Sequence, residues 1–431
     1  MAEVPEVPAA RREPAASPGL PRPLLIAAGL ALGPMVALGL ARFAYSLLLP
    51  AMRSDLQWTL TQAGAMNTAN AVGYLVGAIA AGPLVARARS RRPYLVGLAL
   101  TALALLATAA SANFAVLLAL RLVAGVTGAV VFIAGAGLVV RLVDDLAPGR
   151  STALLGIYFA GGGLGVVVSA VAVPLVVGQG AGGSWRWGWV ILGAASLLAL
   201  AGALPAALRT PEPTVTAGRG VLGWPVRRLA PALVSYGLFG AGYIAYVTFI
   251  VAFLKTQGLH SGTINTFWAV LGAAAVVAAF GWGPVLGRLR GGRGPAAVLA
   301  VATLGALLPL IFEGAPADIA SAMLFGGAFL AVVTAVTNLA RRSLPAAQVA
   351  PAIAVLTVAF GIGQSLGPVL AGVLSDGPSG IRAGLSLSVA LLAAAMAVAA
   401  VQRAIPAPVV HNEQRPQRAS QLGPMPAHDG S

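Results

Sequence analysis

The chain has 431 residues, 58% of them hydrophobic and only 9% charged, with a formal net charge of +15. A soluble domain carries about 25% charged residues, so this chain has too little polar surface to face water. It has no cysteine, which excludes disulfides, thiolate metal sites and cysteine nucleophiles. Of its three histidines, His260 falls in a predicted loop and His411 and His428 in the C-terminal tail, an arrangement that forms neither a metal cluster nor a catalytic triad.

Residues 1–23 hold six prolines and charges of both signs and read as a disordered tail. The apolar stretch from Leu24 is too long for the roughly 7–15-residue core of a signal peptide. A membrane-spanning helix needs about 20 apolar residues. Such runs lie near 24–50, 61–86, 93–112, 114–141, 150–178 and 187–208. Segment 209–228 then breaks the pattern with Pro211, Pro213, Pro225 and Arg219, Arg227 and Arg228. Six more runs follow near 229–254, 262–287, 295–312, 318–341, 345–375 and 381–402, and a polar tail covers 403–431. The expected fold is all-α: twelve transmembrane helices in two six-helix bundles, 24–208 and 229–402, joined by a cytoplasmic linker.

Charge placement supports this map. With the N-terminus in the cytoplasm, 21 of the 27 basic residues lie on the cytoplasmic side. Only Arg53, Arg186, Lys255 and Arg382 lie outside, and Arg42 and Arg121 fall inside helices. Such a bias predicts that both termini are cytoplasmic. Basic residues dispersed in short clusters between apolar runs also argue against a nucleic-acid face.

The two halves repeat. Gly82-Pro83-Leu84-Val85-Ala86-Arg87 recurs 201 positions later as Gly283-Pro284-Val285-Leu286-Gly287-Arg288. Gly161-x-x-Leu164-Gly165 recurs at an offset of 202 as Gly363-x-x-Leu366-Gly367. Two matches at nearly one offset indicate a parallel duplication of a six-helix unit, an architecture found among transporters.

These segments resemble the major facilitator superfamily across residues 24–403. Gly82 to Arg92 is similar to its loop motif between spans two and three, and Gly283 to Arg293 to the mirrored copy. Arg121-Leu122-Val123-Ala124-Gly125 is similar to its span-four motif, and Gly161 to Gly165 loosely resembles its antiporter motif without the usual Gly-Pro pair. Gly39-Leu40-Ala41-Arg42-Phe43-Ala44-Tyr45, Leu48-Leu49-Pro50-Ala51-Met52 and Phe360-Gly361-Ile362-Gly363-Gln364 with Gly367-Pro368 bring it closest to the YbfB/YjiJ-type group. The resemblance implies alternating-access transport in the cell membrane, with spans one, four and seven lining a central cavity. One departure stands out. Ala86 and Gly287 occupy the place of the motif's usual aspartate, which commonly latches the outward-open state.

Arg42 and Arg121 are the only charges within predicted span interiors. A buried arginine costs about 2.5–3.5 kcal/mol on insertion scales, so each faces a cavity or has a partner. At 1.5 Å per residue both lie roughly 10–12 Å from the outer ends of their helices, a common level. All twelve acids fall in loops, tails or helix ends, leaving a cargo carboxylate as one partner and backbone carbonyls or snorkelling as another. Tyr236, Phe239, Tyr243 and Tyr246 share one face of span seven. They serve either a cargo or helix packing. Asn67, Asn70, Thr334, Asn338 and Gln364 are the remaining polar candidates, each of a kind that often acts as inter-helix glue.

The expected cargo site therefore comprises Arg42, Tyr45, Arg121, Tyr243, Tyr246 and Gln364. The expected gating positions are Gly82, Arg87, Gly125, Gly161, Gly165, Gly283, Arg288, Gly363 and Gly367, with spans five and eleven flexing where the bundles meet. The arginine-rich loops are expected to latch on acidic lipids or on Asp144 and Asp145. Gly281-x-Gly283-x-x-x-Gly287 lies inside a span without the strand–turn–helix context of a nucleotide loop, and the chain contains no Gly-x-x-x-x-Gly-Lys-Ser/Thr sequence. Neither ATP drive nor a cofactor is expected. Proton coupling is left to Glu313 or Asp376, or to the cargo itself. A small-molecule cargo, the lipid bilayer and a monomeric state are the expected associations. The alternative on the same fold is a non-transporting sensor; an enzyme would need clustered acids, histidines or a nucleophile–base pair inside the spans.

Overall fold

The computed structural model describes residues 21–143, 148–177, 183–212 and 229–404. Twelve helical segments among them are long and apolar enough to cross a membrane. In the N-terminal half these are α1 (Pro21–Pro34), continued by a π-helical stretch (Met35–Phe43) and α2 (Tyr45–Leu56), then α3 (Leu60–Ala88), α4 (Arg91–Ala109), α5 (Phe114–Val143), α6 (Pro148–Ala172) and α7 (Ser184–Arg209). In the C-terminal half they are α8 (Ala230–Thr256), α9 (Ser261–Arg288), α10 (Arg293–Ile311), α11 (Ala315–Phe329) with α12 (Ala331–Ser343) as one span, α13 (Ala346–Ser375) and α14 (Gly380–Ala400). The first span runs on to Leu56, past the expected end at 50, with Pro50 accommodated inside α2.

Packing within the halves follows one plan. In the first, α1 packs on α6 and α7, α4 on α5 and α7, and α3 on α5; in the second, α8 packs on α13 and α14, α10 on α11 and α14, and α9 on α11. The duplicated glycines show why. A methyl group at Gly161 or Gly165 would strike the carbonyls of Ala31 and Met35 on the first span, and one at Gly363 or Gly367 would strike those of Gly237 and Ala241 on the seventh. Each pair lets two backbones touch at equivalent places in the two halves, the way small residues act in membrane helix pairs. These four glycines therefore close helix pairs within each half. From span five, Gly163 faces the other half against the backbone of Gly272 and Val276, and Gly156 faces the Phe280 ring.

The halves meet along α6–α9, α3–α13 and α2–α8. Hydrogen bonds concentrate toward the end holding the α2–α3 and α13–α14 turns. Ser46 Oγ donates to the Val247 carbonyl, Asn67 Nδ2 to Thr248 Oγ1 (2.7 Å) and Thr68 Oγ1 to the Ser365 carbonyl (2.8 Å). At that far end, Asp376 of α13 accepts from the Leu60 and Thr61 amides (2.7 and 2.9 Å) and from the Thr61 hydroxyl (2.6 Å). The third amide of α3, Gln62, is taken by Thr59 in a reciprocal cap, so every N–H of the first helical positions has a partner. Toward the opposite, arginine-rich end, α5 and α12 scarcely meet among the described residues.

Candidate functional site

The first span's backbone places Arg42. Met35–Phe43 is wound as a π-helix and every residue in it is buried; such stretches are rare and frequent at functional sites. Arg42 sits near its C-terminal end and reaches across the molecular divide, where its guanidinium donates to Gln364 Oε1 on α13. The same guanidinium lies 5.3 Å from the Tyr74 ring centroid on α3, a cation–π distance. Arg42 and Gln364 are 2% and 1% exposed, yet among the described residues Arg42 Nε and Gln364 Nε2 have no acceptor. Two buried donors short of an acceptor define a site that is rich in N–H and poor in oxygen.

Aromatic rings surround that pair. On α8 and α13, Tyr236, Phe239 and Tyr243 stack with Phe360, at 4.5, 5.7 and 5.6 Å from its centroid. Phe329 of α11 joins Tyr243 (6.1 Å) and meets Phe43 edge-on (5.5 Å). Phe360 and Tyr74 are half-buried, while the rings farther along α8 are buried. The Tyr236–Phe239–Tyr243 stripe read from the sequence is therefore a packed stack between spans seven, ten and eleven, and Tyr243 is its member bordering the Arg42 region through Phe329 and Phe43.

Arg121 lies in a different setting. Its guanidinium donates to the carbonyl of Ala41, to Asn67 Oδ1 (3.1 Å) and at longer range to the Met66 carbonyl (3.5 Å). It is sandwiched near Tyr45 (5.2 Å) and Trp189 (5.4 Å). Tyr45 in turn donates to the Ala63 carbonyl (2.8 Å) and stacks on Trp189. Asn70 donates to the Arg121 carbonyl (3.2 Å), and Gly125 abuts the Asn70 carbonyl, bringing α5 against α3. Arg121 and Tyr45, expected at the cargo, are thus committed to protein groups within the first half. Because Asn67 also bonds Thr248, the Arg121 cluster reaches the second half through one amide.

Tyr246 points away from the divide. It donates to Ser321 Oγ (2.6 Å), whose own proton goes to the Gly305 carbonyl (2.6 Å). Thr334 is exposed, and Asn338 reaches only the Leu286 carbonyl at 3.5 Å. Gly82 and Gly283 face open space, and Arg87 and Arg288 are exposed. Asp144 and Asp145 lie outside the described residues. Sequence reasoning missed Tyr74, Phe329 and Phe360, whose contribution arises from three different spans. It placed Asp318 at a helix end, where the structure has it in the first turn of α11, but did not foresee that the residue is fully buried.

Twelve spans in two like halves, joined around a buried guanidinium, describe a multi-pass membrane transporter. Residues 34–401 match the family described as "Uncharacterised MFS-type transporter YbfB", and the chain belongs to this family of the major facilitator superfamily, as a multi-pass protein of the cell membrane. A chloramphenicol resistance protein of Streptomyces lividans is 31% identical over 394 residues, which cover 84% of this chain and 92% of that protein. Among solved structures, a bacterial homolog of the human lysosomal transporter Spinster, in an inward-facing and occupied conformation, matches with a TM-score of 0.69 at 16% identity, covering 89% of this chain and 97% of that one. The nucleoside transporter NupG matches at 0.67 and 15% identity, covering 88% and 97%. At these identities the structural matches establish the fold alone.

Proposed function

We propose that this protein is a secondary transporter that exports a small solute bearing an anionic or strongly accepting oxygen, by rocking its two halves about the Arg42–Gln364 pair. One observation carries this reading: two buried N–H donors, one from each half, lack an acceptor at the centre of the divide. A cargo carboxylate or comparable oxygen supplies what is missing, through charge-assisted hydrogen bonds, and the neighbouring rings offer it apolar faces. Export, and a drug-like or metabolite cargo, draw support from the chloramphenicol resistance relative.

In this arrangement the arginine-rich end is cytoplasmic, as the charge bias predicts, and the far end, tied by Asp376, is the side that must part to release cargo. With no aspartate at Ala86 or Gly287, the acid-to-helix contact between halves lies on the far side. The protein works as a monomer and performs no chemistry on its cargo. The test is exchange of labelled solutes in proteoliposomes, using chloramphenicol and a panel of carboxylates. Wild-type protein exchanges at least one of them, and Arg42→Ala exchanges it at least about tenfold more slowly. Undiminished exchange of an anionic solute by Arg42→Ala would remove this residue from the site.

A further inference from the structure

We infer that Asp318 is a proton-binding site, and that proton exchange there is linked to the opening of the far end. A role in driving transport rests on the function proposed above; the proton site itself does not.

Asp318 lies in the first turn of α11 and is 0% exposed. Among the described residues neither carboxyl oxygen has a hydrogen-bond partner. An acid in a first turn often serves only to complement the helix dipole, but such a group normally faces water or accepts from its own helix amides, and this one does neither. An ionised carboxylate without water or donors is costly in such surroundings, whereas the protonated acid is accommodated.

The groups packed around Asp318 offer no counter-charge. On α8 the nearest titratable side chain is Tyr246, which is held by Ser321, one turn along α11 from Asp318. Residues 261–275 of α9 and 303–311 of α10 contain no titratable side chain. Glu313, Lys255, His260 and Arg382 are exposed at the same end, and Arg382 is bonded to the Leu310 carbonyl (2.6 Å). Among the described residues no cluster of acids or histidines is suited to a metal ion, and one carboxyl with two engaged hydroxyls falls short of the oxygen cage a sodium ion needs. A proton requires only the carboxyl.

Geometry connects this acid to the Arg42 region. Tyr246 packs on Phe325 (4.2 Å), Phe325 on Phe329 (5.4 Å), and Phe329 on Phe43, the neighbour of Arg42. The span is interrupted at Leu330, directly after Phe329. Loss of the proton obliges Asp318 to seek water, drawing the first turns of α11 from α8 and α10 and moving the rings that wall the site.

The experiment uses full-length protein in liposomes and needs no cargo. Infrared difference spectra between about pH 4 and about pH 9 should show a protonated-carboxyl band that disappears in Asp318→Asn and returns, shifted, in Asp318→Glu. The chain lacks cysteine, so Ser46→Cys places a single thiol beside Val247 in the closed far end. Its maleimide labelling should change at least about fivefold across that pH range, become pH-independent when combined with Asp318→Asn, and ignore replacement of sodium by choline. An unchanged band or labelling profile in Asp318→Asn overturns the inference, as does control by sodium rather than pH. Failure of the cargo proposal at Arg42 would leave both readouts intact, so the two ideas fail separately.

Discussion

The two intramembrane arginines are the same residue on neighbouring spans, and their surroundings differ in one respect that decides their roles. Arg121 is enclosed by carbonyls, an amide oxygen and two rings, all from its own half. Arg42 is held by one amide from the opposite half and keeps an unused N–H. A buried charge whose donors are all met within one rigid body stabilises that body. A buried charge met incompletely, across a divide that must open, is available to a ligand. Residue type and depth are equal; the number of acceptors and the body that supplies them are not.

The largest effect should come from Arg121→Ala. It leaves the Ala41 carbonyl and Asn67 oxygen without their donor and opens a cavity under Tyr45 and Trp189. Unmet buried acceptors and a cavity together cost about 3 kcal/mol or more, so the purified variant should melt well below wild type and express poorly. A variant of wild-type stability that had lost only transport would break the comparison. Arg42→Ala should cost less stability, because it frees only the Gln364 oxygen and removes a buried charge that itself lacked an acceptor, and should reduce exchange about 10–100-fold, the worth of a charged hydrogen bond. Arg42→Lys should not restore it, because an ammonium cannot keep both the Gln364 bond and a planar second donor toward cargo.

Gly163→Val should give an intermediate result and separates the interface from the interior. Its side chain would meet the backbone of Gly272 and Val276 across the halves, whereas Gly161→Val would meet Ala31 within one half. The first should slow exchange with little change in melting temperature; the second should lower the melting temperature. Identical behaviour would mean that the halves do not move as separate bodies.

Much of the fold was legible because span length, glycine spacing and arginine placement are properties of one stretch of chain at a time. The repeat of Gly161/Gly165 as Gly363/Gly367 reappears as the same helix contact in each half. The site was legible only in part. Arg42 and Gln364 could be named singly, since a charge or amide in an apolar run is conspicuous, but their meeting depends on how the halves dock. Arg121 and Arg42 looked alike because sequence shows depth and not acceptors. Asp318 looked like an ordinary loop-end acid because burial at a helix start depends on what α8 and α10 place over it. The π-helical winding of Met35–Phe43 left no mark in composition.

The smallest expected effect concerns Asp376, the acid that joins α13 to the start of α3 at the far end. Burial alone would raise its pKa, but the Thr61 hydroxyl and amide, the Leu60 amide and the Thr59 side chain outweigh this and hold it below the ordinary aspartate value. A carboxyl with a depressed pKa contributes its stabilisation fully above the ordinary value near 3.9 and loses it only as pH falls through the lowered one. The tie should therefore be constant across the physiological range and weaken only in strong acid, so any pH response between about 5 and 8 belongs to another group. Asp376→Asn keeps one acceptor oxygen and removes the charge at a helix N-terminus, an interaction of about 1 kcal/mol. The far-end thiol at Ser46→Cys should then label roughly fivefold faster at every pH, without a change in the shape of the profile. A profile that flattened instead would make Asp376 the pH-sensitive group and turn the far-end contact from a fixed tie into a switch.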